Sequence, residues 1–92
     1  MMTTTKILPA SCYEIRPPFL FRWEDSQHAH VLLYPEGMVQ LNPSAAEILK
    51  RCDGERTMGA IVHELEAAFN AQGIAPQVSS LLEEGQRRGW ID

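Results

Sequence analysis

The chain is short of most residues that carry chemistry. Only two of its 92 residues are cysteine, Cys12 and Cys52, and they stand far apart. No Cys-x-x-Cys pair occurs, so neither a zinc site nor a thioredoxin-like redox site is indicated. Small secreted domains are usually disulfide-rich, so a reducing cytoplasm is the expected location. There is no glycine-rich phosphate loop and no His-Glu-x-x-His motif. Basic residues are scarce: eight Lys and Arg stand against twelve Asp and Glu, for a formal net charge of −4. Proteins that bind nucleic acid through its phosphates normally show a net basic face. Only Lys50-Arg51 and Arg87-Arg88 cluster, and cations at helix ends suit the helix dipole. No stretch approaches the roughly 20 apolar residues that cross a bilayer. The segment Met1 to Ala10 lacks the apolar run of a signal peptide, and none is expected.

What remains is an ordinary globular composition, 45% hydrophobic and 22% charged. The length suits one domain. A domain this small buries only roughly 60–65% of its unfolded surface, so its core must be compact and leaves little volume for a deep pocket. Residues 1–18, with Pro9 and Pro17-Pro18, are expected to form an extended N-terminal arm, and residues 19–92 the folded domain.

Phe19 to Trp23 alternates aromatics on one face and predicts a strand. Asp25-Ser26-Gln27 predicts a turn. His30 to Tyr34 predicts a second strand. Pro35-Glu36-Gly37 predicts a short turn, with the glycine free to take a positive φ. Met38 to Leu41 predicts a third strand. Such a meander needs a helical layer against it. Three helices are predicted to supply it. The first starts at Asn42 or Ser44, with Pro43 suited to a first turn and Ser44 with Glu47 matching a capping box. Its apolar positions run to Cys52, and Asp53-Gly54 ends it. The second is capped by Thr57 and carries the stripe Met58, Ile61, Val62, Leu65, Ala68 and Phe69. The third runs from about Pro76 to Arg88, is stopped by Gly89, and is followed by a fold-back of Trp90 and Ile91. The fold class is therefore α+β: a three-stranded antiparallel meander followed by a three-helix bundle, a winged-helix-like composition.

Catalytic groupings are thin. His28 and His30 would share a strand face near Glu24 and Asp25, but two imidazoles without a third ligand do not make a metal site. His63 falls on the polar side of the second helix. Cys52 lies in an apolar stripe, as a buried structural thiol does. No nucleophile, base and orienting group converge, so no enzyme, cofactor or metal is expected.

Two segments carry a resemblance. Leu33-Tyr34-Pro35-Glu36-Gly37-Met38-Val39-Gln40-Leu41-Asn42 and Ile48-Leu49-Lys50-Arg51-Cys52-Asp53-Gly54-Glu55-Arg56-Thr57 resemble the PqqD family of pyrroloquinoline quinone (PQQ) biosynthesis. The likeness covers roughly residues 16–91. It implies a winged-helix-like peptide-recognition element without chemistry of its own. Such a module acts as a peptide chaperone that binds the precursor peptide PqqA and presents it to the radical-SAM enzyme PqqE. The implied mode is strand addition to the edge formed by Met38, Val39, Gln40 and Leu41. The groove wall would come from Val78, Leu81, Leu82 and Gly85 of the third helix. The family usually has an acidic residue where this chain has Gln77, and a larger apolar residue in place of Gly85. The exposed edge and the arm leave monomer and strand-exchanged homodimer both open. The alternative function is a winged-helix DNA-binding protein, against which Glu83 and Glu84 precede Arg87 and Arg88.

Overall fold

A computed structural model describes residues 7–92. The expectations for residues 1–6 lie outside the described residues. Four strands precede the first helix: β1 (Cys12–Glu14), β2 (Leu20–Glu24), β3 (Ala29–Tyr34) and β4 (Gly37–Gln40). Then follow α1 (Pro43–Lys50), β5 (Asp53–Thr57), α2 (Met58–Ala68) and α3 (Ala75–Arg87). Strands β2, β3 and β4 form the expected antiparallel meander in that order, and the three expected helices are present.

Residues 12–14 and 53–57 depart from the sequence reading. Strand β1 lies inside the segment expected as an arm, and it pairs with β5, which fills the stretch between the expected helix end at Asp53-Gly54 and the Thr57 cap. Tyr13 is only 4% exposed and belongs to the core. The described part of the expected arm is thus bound into the domain. Two hydrogen bonds show why. The first N–H groups of a helix have no partner within it. Here Met58 N–H donates to the Ser11 carbonyl and Gly59 N–H to the Pro9 carbonyl, both at 3.0 Å. The chain end closes the other side of β1 through an Ile15–Ile91 bridge and an Asp92 N–H bond to Glu14 O at 3.1 Å.

The helix ends follow local chemistry. Asn42, not Ser44, caps α1: its side-chain oxygen accepts from Ala45 N–H at 2.8 Å, and Pro43 occupies the first turn. Glu47 is therefore free of a capping box and pairs with Arg51 at 2.8 Å instead. Thr57 caps α2 by accepting from Ala60 N–H at 3.0 Å. Gly89 follows α3 with φ of +80°. Trp90 N–H returns to Gly85 O at 2.7 Å and Gly89 N–H to Gln86 O at 3.1 Å, the paired bonds of a Schellman cap. That cap drives Trp90 and Ile91 into the core, where both are buried. Gly37 does not take a positive φ, because Tyr34 pairs with Gly37 across a two-residue turn headed by Pro35.

The run from Asp53 to Thr57 is a structural joint. One Asp53 oxygen accepts from Glu55 N–H at 2.9 Å and Arg56 N–H at 3.0 Å, while the other pairs with Arg56 at 2.7 Å. Arg56 reaches Glu64 on α2 at 2.7 Å, and Glu64 also meets Arg51 at 3.2 Å. Gly54 sits here at φ +82°, where a side chain would be strained.

The Arg56 and Glu55 N–H groups hold the Asp53 carboxyl below its usual range, and the Arg51 guanidinium does the same for Glu47. Both groups stabilise the fold above the ordinary carboxylate pKa of about 4, and that contribution is lost as pH falls through their lowered values. Urea midpoints should drop on acidification below about pH 4. Asp53→Asn keeps the turn acceptor but removes the charge, and should flatten that acid limb. Thr57→Ala should cost about 1 kcal/mol at all pH values.

Candidate functional site

The pairing register decides which backbone groups β4 leaves open. Gln40 faces Val31, Val39 faces Leu32 and Met38 faces Leu33. Leu41 N–H donates to His30 O at 3.0 Å. Antiparallel pairs alternate between bonded and unbonded, so Val39 also bonds toward β3. The N–H and C=O groups of Met38 and Gln40 therefore point away from the sheet, along an edge with no neighbouring strand among the described residues. Strand β2 has the other outer edge, but it carries Arg22 and Glu24, charges that discourage strand pairing. Strand β4 carries no charge.

Side chains on β4 divide by pleat. Val39 and Leu41 face inward, half-buried and buried, while Met38 and Gln40 are exposed. Directly after Leu41 comes Asn42, where a groove of about 470 Å³ opens between α1 and α3. Asn42, Ala45 and Ile48 form one wall. Gln77, Ser80, Leu81 and Glu84 form the other, at the spacing of a single helix face. Among the described residues Glu84 is the one charged side chain of the lining, and it is paired with both Arg87 and Arg88. A second hollow of about 510 Å³ shares Ser44, Ile48 and Gln77 and continues between Leu65, Phe69, Ile74 and Val78. Phe69, expected in the core stripe, is 58% exposed at its rim.

The four expected wall residues are placed differently from one another. Leu81 lines the groove. Val78, only 1% exposed, touches the second hollow from the core. Leu82 is fully buried. Gly85 opens no space: a Cβ there would lie 3.3 Å from Ile91 Cγ1, because the C-terminal fold-back fills the site. Asn42, Ile48, Gln77, Ser80 and Glu84 were not anticipated as lining. Their signal was the shared face 77–80–84 of α3, which a search for apolar positions passes over.

The histidine pair separates. His28 ends a 3₁₀ turn at φ 53°, before β3 begins, so it shares no strand face with His30. His30 stacks on Phe21, with ring centroids 5.0 Å apart, and meets the edge of Trp23. Among the described residues no three His, Cys, Asp or Glu side chains gather to hold a metal ion. Burial, with a smaller effect from the Asp53 charge, pushes the Cys52 thiol up to about 12.

Sequence comparison decides the family. The family described as Coenzyme PQQ synthesis protein D (PqqD) matches residues 29–91, from the first residue of β3 through the C-terminal fold-back. The chain belongs to the PqqD family. A protein of Methylococcus capsulatus named "PqqA binding protein" is 43% identical over 83 residues, covering 90% of this chain and 89% of its own. Another of that name, from Stutzerimonas stutzeri, is 50% identical over 78 residues, covering 84% and 85%. In structure, the chain is similar to the PqqD truncation of Methylobacterium extorquens PqqCD, solved by solution NMR. That protein is described as a functional, stand-alone recognition element for ribosomally synthesized and post-translationally modified peptides. The TM-score is 0.80 at 22% identity, with 96% of each chain covered, so the PqqD fold is shared. This fold is α+β, a three-stranded antiparallel sheet with three helices, as the sequence implied.

Two measurements test this placement. Gly85→Leu should displace the Trp90–Ile91 fold-back and cost about 1–3 kcal/mol in chemical denaturation, the usual penalty for an overfilled core. Neutral stability would mean that space is open beside Gly85 after all. In an alkylation time course at pH 8, Cys12 should react in the native protein and Cys52 only after unfolding.

Proposed function

We propose that this chain is a non-catalytic peptide chaperone of PQQ biosynthesis, which takes the precursor peptide PqqA as an added strand on β4. One observation carries the reading: an uncharged strand edge, with backbone groups at Met38 and Gln40 open among the described residues, leads at Asn42 into a groove whose charged Glu84 is already paired with Arg87 and Arg88. Added strands draw affinity from main-chain hydrogen bonds and specificity from alternate side chains. The names of the curated relatives support the choice of peptide. Within the expected site, the contacts fall to Met38 and Gln40 through the backbone and to Leu81 through its side chain. Val39, Leu41, Val78, Leu82 and Gly85 act from behind, as the core that holds the edge and groove in place.

The work done is positioning. Holding the peptide for the radical-SAM enzyme PqqE raises its effective concentration at the active site without any reaction on this chain. Two free cysteines, one of them buried, suit the reducing cytoplasm where such a pathway would run. Pairing of two β4 edges would give a homodimer that competes with the peptide. DNA reading is disfavoured by α3, whose Arg87 and Arg88 are both engaged by Glu84.

Calorimetric titration with synthetic PqqA, against a scrambled control, tests the proposal. Gln40→Pro removes an outward N–H while sparing the bonds to β3. It should leave the melting temperature nearly unchanged and weaken the peptide about ten-fold. Val39→Pro should instead damage the fold, since the Val39 N–H serves β3. If wild-type protein does not bind PqqA, alone or with PqqE, the proposal is wrong.

A further inference from the structure

The meander leaves an apolar row on the face turned away from the helices. Leu20 pairs with Leu33, and Leu33 with Met38. Directly paired residues share a face, so these three side chains run in one line across all three strands. Leu20 is 62% exposed, Met38 is 44% exposed and Leu33 is half-buried. None of the three belongs to the core cluster or the residues packed against it. The neighbouring row is Arg22, Val31 and Gln40, which presents an amide at the β4 edge.

We infer that Met38 is a specificity-determining residue of the β4 edge, selecting an apolar side chain at the one peptide position in register with it. The inference rests on strand addition as proposed above and names the chemistry which that edge would choose. A strand laid on β4, in either direction, must set one residue beside Met38 on the same face, with Cβ atoms about 5 Å apart. Leu33 already covers one flank of Met38, and the other is open along the edge. An apolar side chain there extends the row from three members to four. A charged one is brought against Met38 without a partner. Two residues along the peptide, the side chain beside Gln40 meets a neutral amide and tolerates polarity. The residue between these two points to the helix side of the sheet. The outer face thus reads an apolar–x–polar pattern, separately from the groove.

Coupling between charges locates the position. PqqA peptides carrying a single lysine, moved along the bound segment, are titrated into wild type and into Met38→Glu. One position is expected to respond. Lysine there should weaken wild-type binding about two- to five-fold and bind Met38→Glu better than wild type by a similar factor. Its two immediate neighbours should show no such preference. Met38→Gln, uncharged and of similar length, is the second variant in case Met38→Glu does not fold. It should bind the parent peptide about two-fold more weakly and lose the preference for an apolar residue at the same position. If parent PqqA binds all folded variants equally and no lysine position discriminates, Met38 does not read the peptide, while strand addition stands. Failure of wild type to bind parent PqqA overturns both.

Discussion

The inward face of the meander, centred on Leu32, must be covered by helices, and most of the remaining structure follows from that burial. A three-stranded sheet of this size is marginal in water unless something packs on it. Leu32 is fully buried, with Phe21 and Val39 directly opposite it on β2 and β4. Asn42 and Pro43 turn the chain straight from β4 into α1, so Ile48 and Leu49 reach the same core within two helical turns. Leu82 of α3, Trp90 and Ile91 complete it from the far side. Leu32 and Leu41, with Phe21 and Val39 packed against them, are committed to this core. The sheet can offer a partner what burial does not use: an edge, the exposed Leu20 and Met38 of the outer face, and the seam beside α1.

The edges are treated unequally, and that inequality points to function. Strand β1 is paired on one side with β5 and tied on the other to the chain end through Ile15 and Ile91. Strand β2 has no strand on its outer edge among the described residues but carries Arg22 and Glu24. Strand β4 carries no charge, and no strand covers its edge among the described residues. An unprotected edge is an aggregation hazard. The proposed docking of a peptide would give a physical reason for it to persist, and the adjoining groove would give that docking a direction.

Much of this was legible in the sequence because local chemistry and global packing agree. Period-two aromatics marked β2, Pro35 and Glu36 marked the turn, and Asn42, Thr57 and Gly89 marked helix ends that the structure keeps. The misses share one cause. Strands β1 and β5 are short, and their partners lie far away in sequence. Asp53 to Thr57 therefore resembled a loop, because its polar side chains make a turn and an ion-pair joint and bury almost no apolar surface. Tyr13 could not be recognised as core from a segment otherwise rich in proline and polar residues. The site was half legible. Register along β4 could be read from alternation, but which of Val78, Leu81, Leu82 and Gly85 faced outward depended on the rotation of α3. That rotation is set by the Gly89 cap and the fold-back of Trp90 and Ile91, a tertiary effect that helical spacing alone does not show.

Strand addition at such an edge sets limits on the binding that results. Backbone hydrogen bonds exchange with water and contribute only about 0.5–1.5 kcal/mol each on balance. They are also indifferent to sequence, so discrimination must come from the few side chains beside the edge. Ordering a flexible peptide consumes part of the gross gain. A module built this way holds its peptide through many weak, evenly spread contacts and not through one deep pocket. That suits a carrier. The hold must be selective enough to collect one peptide, yet loose enough for an enzyme to draw the reacting segment away while the strand-paired segment stays in place. The joint of Asp53, Arg56 and Glu64 ties β5 to α2, and β5 belongs to a different sheet from β4. The scaffold can thus stay fixed while the edge and groove exchange partners.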